Sequence, residues 1–73
     1  MNKPLLKSVM ALRGDNTGDL AKYLGISRAS VSSKMNEKVS PAGYKAEFKQ
    51  SEIRKISDRY NLDAATIKDI FFS

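Results

Sequence analysis

A single glycine, Gly25, lies between two segments whose apolar residues recur at helical spacing, and this arrangement constrains the fold most. Before the glycine, Leu20 and Leu24 are four residues apart; after it, Val31 and Met35 are also four apart. Residues at this spacing share one face of a helix, and glycine readily adopts the left-handed conformation in which helices end. The sequence therefore predicts two short helices that are joined by a tight turn.

The small residues near this turn predict how the two helices cross. Two helices that meet at about 90–120° through a short turn form a helix-turn-helix unit. Ala21 is small enough to let the helices approach, Ile26 fills the turn, and Val31 is expected to pack under Ala21. We therefore predict a helix-turn-helix unit at about residues 17–36. The alternative is an ordinary helical hairpin in which alanine and glycine occupy these positions by chance.

Three further helices are predicted around this unit. One begins near Pro4 and ends at Gly14, the next covers roughly residues 50–60, and a short last helix begins after Asp63. Their apolar residues at helical spacing are Leu5, Leu6, Val9, Met10, Leu12, Ile53, Ile56, Tyr60, Ile67, Ile70 and Phe71.

Residues 36–48 have no helical period and contain Pro41 and Gly43, so we expect them to form a long loop. No segment shows the alternation of a strand. The prediction is an all-α fold, a single domain over residues 1–73 with five short helices, of which the C-terminal ones occupy about residues 50–71.

The residue types that are missing argue against catalysis. The 73 residues include no cysteine and no histidine, so thiolate metal sites and the usual general base are not available. A chain of this length forms one small core, and a deep catalytic cleft is hard to build on it. We therefore expect no enzyme activity, no cofactor and no metal. Because no apolar run approaches the length of a membrane span, we expect a cytoplasmic protein that does not contact membranes.

The positive charge of the chain is concentrated in its first two-thirds. The net charge is +5, and residues 50–73 carry equal numbers of acidic and basic side chains. The whole excess therefore lies in residues 1–49. Such an asymmetry favours one face that binds a polyanion, although a solvated surface with a mild basic bias would show it too.

The run Leu20-Ala21-x-x-Leu24-Gly25-Ile26-Ser27-x-x-x-Val31 resembles the helix-turn-helix of Cro- and repressor-type phage regulators. Further residues resemble a subgroup of small phage and prophage regulators of Gram-positive bacteria: Lys34-Met35-Asn36, Glu47-Phe48, Glu52-Ile53, Tyr60-Asn61-Leu62 and Ile70-Phe71-Phe72. The resemblance implies a compact five-helix repressor-like fold, operator binding and a place in the bacterial host cytoplasm. Two departures stand out: Lys34 occupies a position where the family often has an apolar residue, and the loop at 36–48 is unusually long.

In such a protein the third helix enters the major groove of DNA. The residues expected to face base edges are Ser27, Arg28, Ala29, Ser32 and Ser33. Arg28 is the strongest candidate because arginine donates two hydrogen bonds to guanine. Each serine is equally well explained as an ordinary solvated residue.

Other residues are candidates for contacts to phosphate. They are Asn16, Thr17, Lys34, Asn36 and Lys38, with Lys22 and Lys45 as weaker candidates. Asn16 and Thr17 precede or begin the second helix, whose free N–H groups attract anions. Lys34, Asn36 and Lys38 lie at or beyond the end of the third helix. They would contact the DNA backbone on the other side of the groove.

The C-terminal residues are candidates for contacts with another protein. Phe71 and Phe72 are adjacent, so only one of them readily faces the core of a helical protein. The dimer or partner candidates are Ile67, Ile70, Phe71 and Phe72. We expect a Cro-like, sequence-specific transcriptional regulator that binds a double-stranded DNA operator, as a homodimer. The alternative is an antirepressor or modulator that binds a partner repressor.

Overall fold

The computed structural model describes residues 1–72 and contains five helices along that part of the chain. They are α1 (Lys3–Arg13), α2 (Thr17–Leu24), α3 (Arg28–Met35), α4 (Gln50–Tyr60) and α5 (Ala64–Phe71). No strand occurs among the described residues, so the predicted all-helical, five-helix organisation is confirmed. None of these helices has the length and apolar character needed to cross a membrane.

Local side-chain hydrogen bonds define where the helices begin. Asn16 Oδ1 accepts the Asp19 N–H at 2.8 Å, and Asp19 Oδ2 accepts the Asn16 N–H at 2.9 Å, which together cap α2. Ser27 Oγ caps α3 by accepting the Ser30 N–H at 3.0 Å. Asp63 caps α5 in the same way through Thr66. These caps satisfy N–H groups that have no partner inside a helix, which explains why the predicted starting points are close to the observed ones.

One apolar core joins all five helices and the end of the long loop. Its buried residues are Leu6, Met10, Leu20, Ala21, Leu24, Val31, Met35, Phe48, Ile56 and Ile70. Ala21 is only 4% exposed where α2 packs on α3, which confirms its predicted burial. Leu12 shares the helical spacing of its neighbours in α1 but is 90% exposed, because no other element covers that side of the helix end.

The expected loop at 36–48 folds back on itself. An isolated antiparallel bridge joins Val39 to Lys45, and the Ser40 N–H donates to the Tyr44 carbonyl at 2.8 Å. Val39 and Tyr44 are exposed, whereas Phe48 at the end of the segment is buried in the core. The segment is therefore an ordered, hairpin-like excursion that is anchored at its base.

Candidate nucleic-acid interface

Three residues connect α2 to α3 and determine how α3 leaves the turn. Gly25 adopts a left-handed conformation with φ 74°, which residues with a side chain rarely adopt. The Ile26 N–H donates to the Ala21 carbonyl at 3.1 Å, and Ser27 then caps α3. The start of α3 is thus held against the end of α2 by hydrogen bonds at each step of the turn.

The outward surface at the start of α3 carries small and polar side chains. Val31 and Met35 face the core, whereas Arg28, Ala29 and Ser32 are exposed. An open concavity is lined by Asn16, Thr17, Arg28, Ala29 and Ser32. All five were predicted as DNA contacts, and no acidic side chain lines the concavity. Of the other base-contact candidates, Ser27 is exposed beside the concavity and Ser33 is half-buried.

Lys34, predicted as a phosphate contact, is engaged inside the protein instead. Its Nζ lies 2.7 and 2.8 Å from the two carboxylate oxygens of Glu52 in α4, and its side chain is only 16% exposed. Because the Lys34 ammonium group is largely removed from water, its charge requires an acidic partner, and Glu52 of α4 provides it. We therefore remove Lys34 from the phosphate-contact candidates.

Glu52 is the acidic partner and is itself buried. Burial opposes ionisation of its carboxyl group, but the hydrogen bonds from Lys34 and from the Lys49 N–H outweigh that effect. The pKa of Glu52 is consequently below its usual value. The Glu52 carboxylate therefore stays ionised at neutral pH, and its hydrogen bonds from Lys34 link the end of α3 to the start of α4.

Asn36 and Lys38 lie beyond the end of α3. The Asn36 side chain donates to Ser32 Oγ at 3.3 Å and accepts a hydrogen bond from Lys3 Nζ. Lys38 is exposed and makes no ion pair within the described residues. Lys3 was not among the predicted contacts, because only the packing of α1 brings its side chain beside the end of α3.

Few of the basic side chains in residues 1–49 are neutralised by carboxylates. Among the nine in this described stretch, only Lys34 and Lys45 form ion pairs. Lys45 Nζ lies 2.6 Å from Glu37 and lowers the pKa of that carboxyl group to about 2. Lys45 is therefore a poor phosphate contact. Within residues 1–72, the basic side chains of this stretch that form no ion pair are Lys3, Lys7, Arg13, Lys22, Arg28, Lys38 and Lys49.

A second polar cluster holds the segment before α2 against the end of α4. Asp15 accepts hydrogen bonds from Arg59 Nε at 2.6 Å and from the Tyr60 hydroxyl at 2.7 Å. These bonds lower the pKa of Asp15 to about 2. The Arg59 guanidinium also lies 4.8 Å from the ring centroid of Tyr23. Asp15 thus positions the start of α2, whereas the neighbouring Asn16 caps the helix.

The four predicted partner contacts at the C-terminus have different environments. Ile70 is completely buried in the core, so it is not available to a partner and we remove it from that set. Phe71 is half-buried, with its ring 5.9 Å from that of Phe48 in an edge-to-face arrangement. Ile67 is half-buried, and Phe72 is 65% exposed. Phe72 is therefore the most accessible of the four; Ser73, which follows it, lies outside the described residues.

No protein-family model, curated protein or solved structure matches this chain. Any function proposed for it therefore rests on its own residues and their arrangement. The concavity at the start of α3, which brings five of the ten predicted DNA contacts together, is the strongest of these observations.

Proposed function

We propose that this chain is a Cro-like, sequence-specific regulator of transcription that binds an operator through a helix-turn-helix formed by α2 and α3. The observation that carries the proposal is the concavity of Asn16, Thr17, Arg28, Ala29 and Ser32. It combines the exposed start of a short helix with the capped start of its neighbour. None of its five lining residues is acidic, and the neighbouring Asp19 carboxylate is bonded to the Asn16 N–H.

The dimensions of α3 suit a major groove. An α-helix with its side chains is about 10–12 Å across, which fits the major groove of B-DNA at about 12 Å wide, and the eight residues of α3 extend for about 12 Å along the helix axis. Arg28 would donate to guanine, while Ala29 would contact a thymine methyl group and Ser32 would hydrogen-bond to a base edge. Thr17 at the start of α2 and the exposed Lys38 would contact the phosphates on either side.

The first test is whether the protein binds duplex DNA in the manner of a phosphate-contacting regulator. Fluorescence anisotropy with a random-sequence duplex should show affinity that falls steeply with salt, with a slope reflecting roughly 4–8 phosphates for a symmetric pair. Lys38→Ala should lower the slope, whereas Lys55→Ala, on the exposed surface of α4, should leave it unchanged. Undetectable binding at low salt would refute the proposal.

The second test separates base reading from phosphate contact. In a binding-site selection, Arg28→Ala should relax the preference at one base position by about 1–3 kcal/mol. Lys38→Ala should weaken binding to all DNA sequences by the same factor. If Arg28→Ala leaves every base preference unchanged, the assignment of Arg28 to base reading is wrong.

The exposed Phe72 supports a second candidate function, an antirepressor or modulator that binds a partner repressor. Phe72 borders an opening that the apolar side chains of Met1, Ile53 and Phe71 also line, and exposed apolar groups that lie together favour contact with another protein. Because Phe71 packs on Phe48, Phe72→Ser tests this better than removal of both phenylalanines. Sedimentation would distinguish the two functions: self-association that is lost in Phe72→Ser supports a DNA-binding dimer, and association with a repressor alone supports the modulator.

A further inference from the structure

Gly18, the second residue of α2, is a glycine that the backbone does not require. Unlike Gly14, Gly25 and Gly43, it lacks a positive φ, and its conformation is an ordinary helical one. Glycine is less favourable than alanine within a helix because it loses more backbone freedom on folding. The reason for a glycine at this position must therefore be sought in what lies around it.

Arg28 and Asn16 leave little space for a side chain at position 18. A Cβ atom there would lie 3.2 Å from Arg28 Nη2, 3.4 Å from Arg28 Nε and 3.2 Å from Asn16 Oδ1. The Asn16 oxygen is held by its hydrogen bond from the Asp19 N–H at 2.8 Å, so it has little freedom to move. Arg28 has a long, flexible side chain. A Cβ atom at position 18 would therefore require the Arg28 guanidinium to shift by a few tenths of an ångström.

We infer that Gly18 is a positioning residue that determines DNA specificity by letting the Arg28 guanidinium rest on the first turn of α2. This inference rests on the proposed function. A guanidinium that makes two hydrogen bonds to guanine must meet the base edge in one plane. Holding the side chain in place before binding reduces the loss of its conformational freedom when the complex forms. Gly18 would thus improve base reading at the expense of helix stability.

The contact itself can be tested without DNA. In the wild-type protein, the heteronuclear NOE of Arg28 Nε should be clearly higher than that of Arg54, an exposed arginine of α4 without an ion pair in the described structure. Gly18→Val should lower the Arg28 value to that of Arg54. Equal mobility of the two arginines in the wild-type protein would overturn the inference while leaving the proposed function intact.

The consequence for specificity is tested by a binding-site selection with Gly18→Ala. We expect a loss of about fivefold or more in base preference, confined to the position that Arg28→Ala also affects. The midpoint of thermal unfolding should stay the same or rise. Ser51→Ala is the matched control, because Ser51 is the exposed second residue of α4; it should not change base preference.

The other outcomes of this selection decide against the inference. Unchanged base preference in Gly18→Ala, or an equal loss of affinity for all sequences, would show that Gly18 does not position a base-reading group. A wild-type protein without DNA affinity would refute the proposed function and, with it, a role in specificity. The NMR measurement would still show whether Gly18 accommodates Arg28, which separates the two failures.

Discussion

The two ends of α3 use their polar residues differently. At the start of the helix, Arg28, Ala29 and Ser32 are exposed and form no ion pair within the described chain. Near its end, Lys34 is bonded to Glu52, and Asn36 accepts a hydrogen bond from Lys3. The Arg28 guanidinium therefore remains available to a ligand, whereas Ser32 accepts a hydrogen bond from Asn36, and Lys34 and Asn36 already make contacts that stabilise the fold.

The difference follows from what surrounds each end. The start of α3 projects from the tight turn after Gly25, and its neighbour is the capped start of α2. Side-chain hydrogen bonds join the end of α3 to α4 and to the start of α1, which provide Glu52 and Lys3. A basic residue on this helix is therefore a candidate for DNA contact only where no other helix supplies it with a partner. Four predictions test the contrast.

The largest effect is expected at the end of α3. Lys34→Ala should lower the free energy of unfolding by about 2–3 kcal/mol, because it leaves the buried Glu52 carboxylate without its cation. Replacing both residues, with Lys34→Met and Glu52→Gln, removes both charges but keeps an acceptor for the Lys49 N–H, so it should recover much of the lost stability. Urea denaturation at neutral pH measures the free energy of unfolding of the single and the double variant. Should Lys34→Ala prove as stable as wild type and yet bind DNA poorly, Lys34 would be a phosphate contact after all.

The next largest effect on stability is expected where α2 packs on α3, at Ala21. Ala21→Leu should overpack the contact between α2 and α3 and lower the free energy of unfolding by about 1–3 kcal/mol. Ala11→Leu, on an exposed position of α1, is the matched control and should change stability by less than about 0.5 kcal/mol. Thermal melts of the two variants provide the comparison. If Ala21→Leu melted at the same temperature as Ala11→Leu, α2 and α3 would not approach each other closely at Ala21.

The Asp15 cluster tests whether the start of α2 depends on its contact with α4. Asp15→Asn should lower the free energy of unfolding by about 1–2 kcal/mol at neutral pH, because it weakens charged hydrogen bonds. The folded-state pKa of Asp15 is about 2, below its value of about 3.9 in an unfolded chain. Its stabilisation is therefore present above about pH 4 and is lost as the pH falls toward 2.

The measurement is the difference in unfolding free energy between wild type and Asp15→Asn as a function of pH. Because Glu37 and Glu52 also titrate at low pH, this difference reports Asp15 better than either curve does. Asp58→Asn, at an exposed position of α4, serves as the control. A difference between wild type and Asp15→Asn that does not shrink below pH 4 would contradict the role of the Asp15 charge.

The smallest effect on stability is expected at the start of α3. Arg28→Ala should change the free energy of unfolding by less than about 0.5 kcal/mol, since Arg28 is exposed and unpaired in the described structure. Arg59→Ala, which removes a guanidinium bonded to Asp15, should be clearly more destabilising. Urea denaturation of the two arginine variants would show the contrast. An Arg28→Ala variant as unstable as Arg59→Ala would mean that Arg28 supports the fold.

The helices and most of the core follow from local patterns in the sequence. Caps such as Asn16 with Asp19, and Ser27 with Ser30, act between residues three apart, so they can be read without knowing the fold. The same holds for the left-handed turn at Gly25 and for the apolar spacing that buries Val31 and Met35. These features depend on short stretches of backbone, whose geometry is the same in any helical protein.

Which polar residues are available for function depends instead on how the helices pack. Lys34 and Glu52 are 18 residues apart, Lys3 and Asn36 are 33 apart, and Asp15 and Arg59 are 44 apart. Lys34 and Lys38 look alike in the sequence, but a neighbouring helix supplies a carboxylate to Lys34. Likewise, Phe71 packs on Phe48 while Phe72 faces solvent. Pairing and burial depend on how the helices are packed, and local sequence patterns do not specify which distant side chains meet.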